Sequence, residues 1–204
     1  MRGLLLIRHP KTLANQQRRY LGHSDSPCDP HALAAFLRVA ERLAKLPITR
    51  IYSSDLGRAV VAAAQLGALL HLPVEQDSRL REMNFGAFEG LTHDEVMAFD
   101  RSSAVTWYEN MMENNPPRGE TGQHVAHRAL HVLRELGEDA TRTKRLYAVV
   151  SHGGPLRLYL AERLYGDCAK HFDVDFFHGR VFYDPLDALP FLLEEENEDA
   201  RSQD

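Results

Sequence analysis

Four apolar residues, Leu4, Leu5, Leu6 and Ile7, form an unbroken run that stops at the charged pair Arg8-His9. Such a run predicts a short strand buried on both faces. Asp29-Pro30 predicts a helix start, with aspartate as N-cap and proline at the first helical position. Leu33, Phe36, Leu37, Ala40 and Leu43 follow at the spacing of one helical face, and Pro47 ends it. Residues 50–53 predict a second strand. Ser54 or Asp55 is then the expected cap of a helix running to about Leu70, and residues 72–75 predict a third strand. Residues 78–93 read as a loop, and 94–112 as weakly helical with no clear boundary. Asn114-Asn115-Pro116-Pro117-Arg118-Gly119 is a break. Thr121 starts a helix with Val125, Ala129, Val132, Leu133 and Leu136 on one face. Residues 146–150 predict another buried strand, and Gly153 opens a helix that ends near Tyr165-Gly166. Residues 172–176 and 180–183 read as closing strands around a His178-Gly179 turn. Strands alternating with helices predict a three-layer α/β/α sandwich around a mostly parallel sheet.

The chain has 204 residues, 44% of them hydrophobic and 26% charged. That balance fits one globular domain over residues 1–193 and excludes a collagen-like or disulfide-dense scaffold. The apolar stretch 59–70 is interrupted by Gln65 and is too short to span a bilayer. The four apolar residues after Arg2 make no signal-peptide core, so a cytoplasmic protein is expected, with Cys28 and Cys168 as incidental thiols. Charge is unevenly placed. Residues 194–204 hold six acids and one base, which accounts for the whole formal net charge of −5, and they read as a disordered, solvated acidic tail. Residues 1–24 hold Arg2, Arg8, Lys11, Arg18 and Arg19 and no acid. With no basic stripe elsewhere, that end suits a small anion rather than nucleic acid.

Ligands of open α/β sheets bind at the carboxyl ends of strands. Two predicted strands end in histidine, Ile7-Arg8-His9 and Val150-Ser151-His152, and a third leads into a helix whose first turn carries Arg58. Four blocks then look like a known family: Arg8-His9-Pro10-Lys11-Thr12-Leu13-Ala14-Asn15, Tyr52-Ser53-Ser54-Asp55-Leu56-Gly57-Arg58-Ala59, Leu80-Arg81-Glu82-Met83-Asn84-Phe85-Gly86 and Val149-Val150-Ser151-His152-Gly153-Gly154. Their order and spacing resemble the histidine phosphatase, or phosphoglycerate mutase-like, superfamily, and within it the short bacterial phosphatases such as the α-ribazole phosphatases. The resemblance implies the phosphoglycerate mutase-like fold. It also implies His9 as a nucleophile that becomes phosphohistidine, and Glu82 as proton donor. Arg8, Arg58 and His152 would surround the phosphoryl oxygens, with Asn15, Gly153, Thr12 and Gly22 as further phosphate or substrate contacts. Glu82 would have to carry a proton at neutral pH, which burial or nearby phosphate charge favours. Two positions depart from the family pattern. Pro10 stands where glycine is usual, which removes an N–H and fixes φ, and Ser26-Pro27-Cys28-Asp29 stands where Pro-Leu-Thr is common.

No cofactor or metal is implied. His124, His127 and His131 share one helix, but no cysteine or carboxylate completes a ligand set. Only 69 residues separate Glu82 from His152, little chain for a lid that keeps water from a phosphohistidine. A phosphomonoesterase acting on a small phosphorylated metabolite is therefore the leading expectation, ahead of a mutase or a non-catalytic phosphate sensor. No membrane partner is expected, and a homodimer is left open. Trp107, Tyr108, Met111 and Met112 read as core before they read as a substrate pocket.

Overall fold

Residues 1–194 are described by the computed structural model; residues 195–204, almost all of the expected acidic tail, lie outside the described residues. The first apolar run forms strand β1 (Gly3–Arg8). Its side chains alternate. Leu5 and Ile7 enter one core cluster, while Leu4 and Leu6 enter another on the opposite face. All four are fully buried, each a contribution of about 1.5–3 kcal/mol from removing apolar surface from water.

The first cluster packs against α2 (Pro30–Leu43) and α3 (Gly57–Leu70). The second packs against α6 (Gly122–Thr143) and α7 (Gly153–Tyr165). Between these layers lie β2 (Ile48–Ser53), β3 (Val74–Gln76), β4 (Leu146–Ser151), β5 (Val181–Asp184) and β6 (Phe191–Glu194) with β1. The sheet order is β3-β2-β4-β1-β5-β6. The pairs β3/β2, β2/β4 and β4/β1 are parallel; β1/β5 and β5/β6 are antiparallel. This is the expected α/β/α sandwich, with an antiparallel edge. Buried Asp184 fastens that edge to α7 by accepting hydrogen bonds from Tyr159 and Arg163. A third cluster, centred on Trp107, gathers α4 (His93–Phe99), α5 (Arg101–Glu109) and the first turns of α6 against Met83 and Phe88. Trp107 is therefore core, with Tyr108, Met111 and Met112 packed on it.

Several expectations are corrected. Asp29 does cap α2, but the buried face is Phe36, Val39, Ala40 and Leu43, and Leu37 is 38% exposed. A helix advances about 100° per residue, and counting Leu37 in place of Val39 rotated the stripe by about 45°, half a residue. Neither Ser54 nor Asp55 is the N-cap of α3. That position is Leu56, which makes no side-chain cap, and the Ser54 hydroxyl accepts from Leu56 N–H before the helix begins. Residues 172–176 are not a strand: Cys168–Asp173 is 3-10 helix, and β5 pairs with β1 and β6 instead of closing a hairpin at His178. The described boundary of β6 includes Glu194, which the sequence had assigned to the tail.

Candidate active site

The parallel register of β1 with β4 sets Arg8 opposite Ser151. The next residue on each strand is a histidine, so the two rings meet at the carboxyl edge of the sheet, with centroids 5.0 Å apart. His9 is 4% exposed and His152 is fully buried. β2 runs beside β4 on the other side, and Ser54, just past its end, places its hydroxyl 2.8 Å from His152 Nε2.

His9 Nδ1 lies 2.7 Å from the carbonyl of Pro10. A carbonyl only accepts, so Nδ1 carries the proton and the lone pair is on Nε2. Burial holds the His9 imidazole well below its ordinary range, helped by Arg58 and Arg8. His152 is shifted the same way, by burial first and then by His9, Arg58, Arg128 and Arg8. Both rings are therefore neutral at pH 7. The departure at Pro10 acquires a physical reading here: position 10 serves His9 through its carbonyl, which proline retains.

Arg8 donates from its guanidinium to the Phe176 carbonyl, 2.8 Å away, and lies against Gly153, where an added Cβ would stand 3.1 Å from Arg8 Cζ. Arg58 is 2% exposed. Its fork holds a loop: Nη2 donates to the carbonyls of Leu21 and Gly22, and Nη1 to the Ser24 carbonyl and Asp25. Its Nε is buried without a hydrogen-bond partner. Glu89 organises the same loop by accepting from the N–H groups of Gly22, His23 and Ser24. Burial pushes the Glu89 carboxyl up, but these and the Ser24 and Phe85 hydrogen bonds outweigh it and leave it below the usual range.

Thr12 and Asn15 close a capping box on the short helix α1 (Leu13–Gln16). Asn15 Oδ1 is occupied by the Thr12 N–H and hydroxyl, so donation to a ligand would fall to Nδ2. Gly22 is tied into the same loop. Its N–H donates to Glu89, its carbonyl accepts from Arg58, and an added Cβ would sit 2.1 Å from the Met83 carbonyl. Close passage of two backbones requires glycine there.

Glu82 is drawn to the N-terminus of α7. Its Oε2 accepts from Gly154 N–H at 3.1 Å and its Oε1 from Met83 N–H at 2.8 Å. The structure thus gathers His9, Arg8, Arg58, His152, Glu82 and Gly153 around one edge.

Three participants were missed by sequence reasoning. Arg128 on α6 donates to the carbonyls of Arg79, Arg81 and Glu82 and pairs with Glu120, so it clamps the acid-bearing segment. Ser54 was read only as a cap. His178 was read only as a turn. Its ring centroid is 5.4 Å from that of His9, because Val181 opposite Ile7 in antiparallel β5 brings the residues just before it past the end of β1. Only the antiparallel pairing of β5 with β1 reveals it, and no sequence pattern marks that pairing. His124, His127 and His131 are exposed on α6.

A sequence profile of the histidine phosphatase superfamily (branch 1) matches residues 4–179. The chain belongs to that superfamily. Among its superfamily relatives, a glucosyl-3-phosphoglycerate phosphatase of Mycolicibacterium vanbaalenii is 34% identical over 159 residues, 76% of this chain and 70% of the relative. An Escherichia coli protein named "Probable phosphoglycerate mutase GpmB" is 31% identical over 153 residues, 75% of this chain and 70% of its own. The crystal structure of the α-ribazole phosphatase from Shigella flexneri superposes with a TM-score of 0.84 at 25% identity, covering 97% of this chain and 96% of that one. The phosphoglycerate mutase-like fold is thus shared with histidine phosphatases. Among the described residues no helix is long and apolar enough to cross a membrane.

Proposed function

We propose that the protein is a metal-independent phosphomonoesterase that hydrolyses a small phosphorylated metabolite through phosphohistidine on His9. The observation that carries the reading is the state of His9: a buried neutral ring with Nδ1–H given to the Pro10 carbonyl and its Nε2 lone pair available. In the first step Nε2 attacks phosphorus, the P–N bond forms and the P–O ester bond breaks. Glu82 gives its proton to the departing oxygen. In the second step water attacks phosphorus, Glu82 takes the water proton, and inorganic phosphate leaves His9. Arg8, the buried Nε–H of Arg58, His152, Asn15 and the N–H of Gly153 hold the phosphoryl oxygens. Such preorganised donors are each worth on the order of 10²–10³ in rate. The alkoxide needs no metal when a carboxylic acid delivers the proton.

Hydrolysis is favoured over mutase chemistry by the short chain between Glu82 and His152. The named relatives include both activities, so the products decide. Cys28 and Cys168, both free thiols, fit a cytoplasmic enzyme.

The test is release of inorganic phosphate from p-nitrophenyl phosphate in excess chelator, beside His9→Ala. Expected are turnover in the parent and none above background in the variant. Turnover that needs an added metal, or survives in His9→Ala, overturns the mechanism. Glucosyl-3-phosphoglycerate is the first natural substrate to try, since the relative named for it aligns over three quarters of this chain. Isomerisation of 3-phosphoglycerate in the presence of 2,3-bisphosphoglycerate, without phosphate release, would instead establish a mutase.

A further inference from the structure

We propose that His178 is a third imidazole of the anion pocket, donating a ring N–H to an oxygen of the phosphoryl group held at His9. Neither ring nitrogen of His178 has a hydrogen-bond partner, and both are buried. A neutral imidazole always presents one donor and one acceptor, so a buried ring with neither satisfied is a group waiting for a partner. Its ring stands edge-on to His9, with an interplanar angle of 68°, on the side away from Ser54. His9 is thus flanked by His152 and by His178.

The surroundings say what that partner is. Arg8, His9, Lys11 and Arg157 all act on His178 electrostatically, and the first, third and fourth are cations. An unsatisfied N–H acted on by three cations suits an oxyanion. The segment that carries His178 is also held still. Arg8 donates to Phe176, Phe176 is fully buried, and Arg180 donates to the Asp175 carbonyl, pairs with the Asp175 carboxylate and lies over the Phe177 ring. Gly179, at φ 77°, turns the chain from this segment toward β5. A ring fixed from both sides is preorganised for a ligand rather than free to seek solvent.

The proposal rests on the reading of His9 as the phosphoryl acceptor for the position of the anion, and its test does not need turnover. Orthovanadate binding to the intact protein is measured by calorimetry for the parent, His178→Phe and His178→Asn, with the ligand-free thermal midpoint of each. His178→Phe keeps a ring and removes both nitrogens; His178→Asn keeps a donor. Expected is a weakening of about tenfold or more for His178→Phe and less for His178→Asn, with midpoints equal to or above the parent's, because no native hydrogen bond is lost. Parent-like vanadate affinity in both variants overturns the proposal. So does a lowered ligand-free midpoint with affinity unchanged, since that marks a ring serving the fold alone. If His178→Phe does not fold, the affinity of His178→Asn for vanadate relative to the parent decides. Activity that survives in His9→Ala removes the phosphohistidine reading but leaves the vanadate comparison standing.

Discussion

Pro10 and Gly154 make the same point from opposite directions. A residue type was legible in the sequence, but the atom it contributes was not. Proline at position 10 reads as a loss, because composition records the missing N–H and not the direction of the carbonyl that His9 uses. Gly154 reads as part of a helix start, yet its N–H holds Glu82, and an added Cβ would stand 2.2 Å from Glu82 Oε1. The atom it meets is the far end of a flexible side chain, so Gly154→Ala is expected to fold normally while displacing the carboxylate. A displacement of about 1 Å at a reacting group costs on the order of 10² in rate. Steady-state kinetics should therefore give a kcat reduced by about that factor with an unchanged thermal midpoint. An unchanged kcat would mean that Glu82 is not held by this contact when it acts.

At the scale of elements, the histidine-bearing strands and their following helices were legible because each combines a buried apolar run with an abrupt charged end. Helix boundaries in residues 94–112 were not legible. Their order comes from packing on Trp107, which a local pattern does not encode. The acid-bearing segment illustrates the same limit. It has little regular structure, and Arg128 reaches across from α6 to hold three of its carbonyls. Seen alone, Arg128 is one more charged residue between apolar positions of a helix. Replacing it with methionine should leave part-buried Glu120 without its arginine partner, with only the Asn84 N–H and His23 beside it, and cost about 1–3 kcal/mol of stability. With the segment loosened, kcat should fall more than KM rises, and Arg128→Lys should recover part of the stability and little of the rate. Denaturant titration and kinetics on the two variants check this. A KM effect alone would assign Arg128 to substrate binding.

Across the whole molecule, three layers were legible from alternation, but the sheet order was not. The antiparallel edge placed His178 in the site, and no local signal separates a strand that pairs with β1 from one that closes a hairpin. The result is three histidines at one edge, two of them buried and His178 part-buried with both ring nitrogens covered, each held below its ordinary range by burial and neighbouring cations. In the unfolded chain they titrate near their ordinary pKa of about 6.5. Below that pH the unfolded chain takes up protons that the folded protein refuses, so stability falls as pH falls; above it their contribution is flat. Half-buried His171 acts in the same direction. The thermal midpoint should decline from about pH 6.5 toward 5, before the carboxylates protonate, with uptake of about three to four protons on unfolding. The decline should be shallower by about one proton in His178→Phe. A midpoint that is flat over that range would mean that the rings protonate in the native state.

Trp107 is the chain's single tryptophan, and it lies in the cluster beside the acid-bearing segment rather than between the sheet and its helices. Its ring touches Tyr20, Phe85, Phe88 and Tyr108. The protein therefore carries a built-in optical probe with a single address. A red shift of indole emission reports water reaching the α4–α5 layer, while far-ultraviolet ellipticity follows the sheet and its flanking helices. Comparing the two through a denaturant titration tells whether the layer next to Glu82 opens separately from the rest, with no label attached.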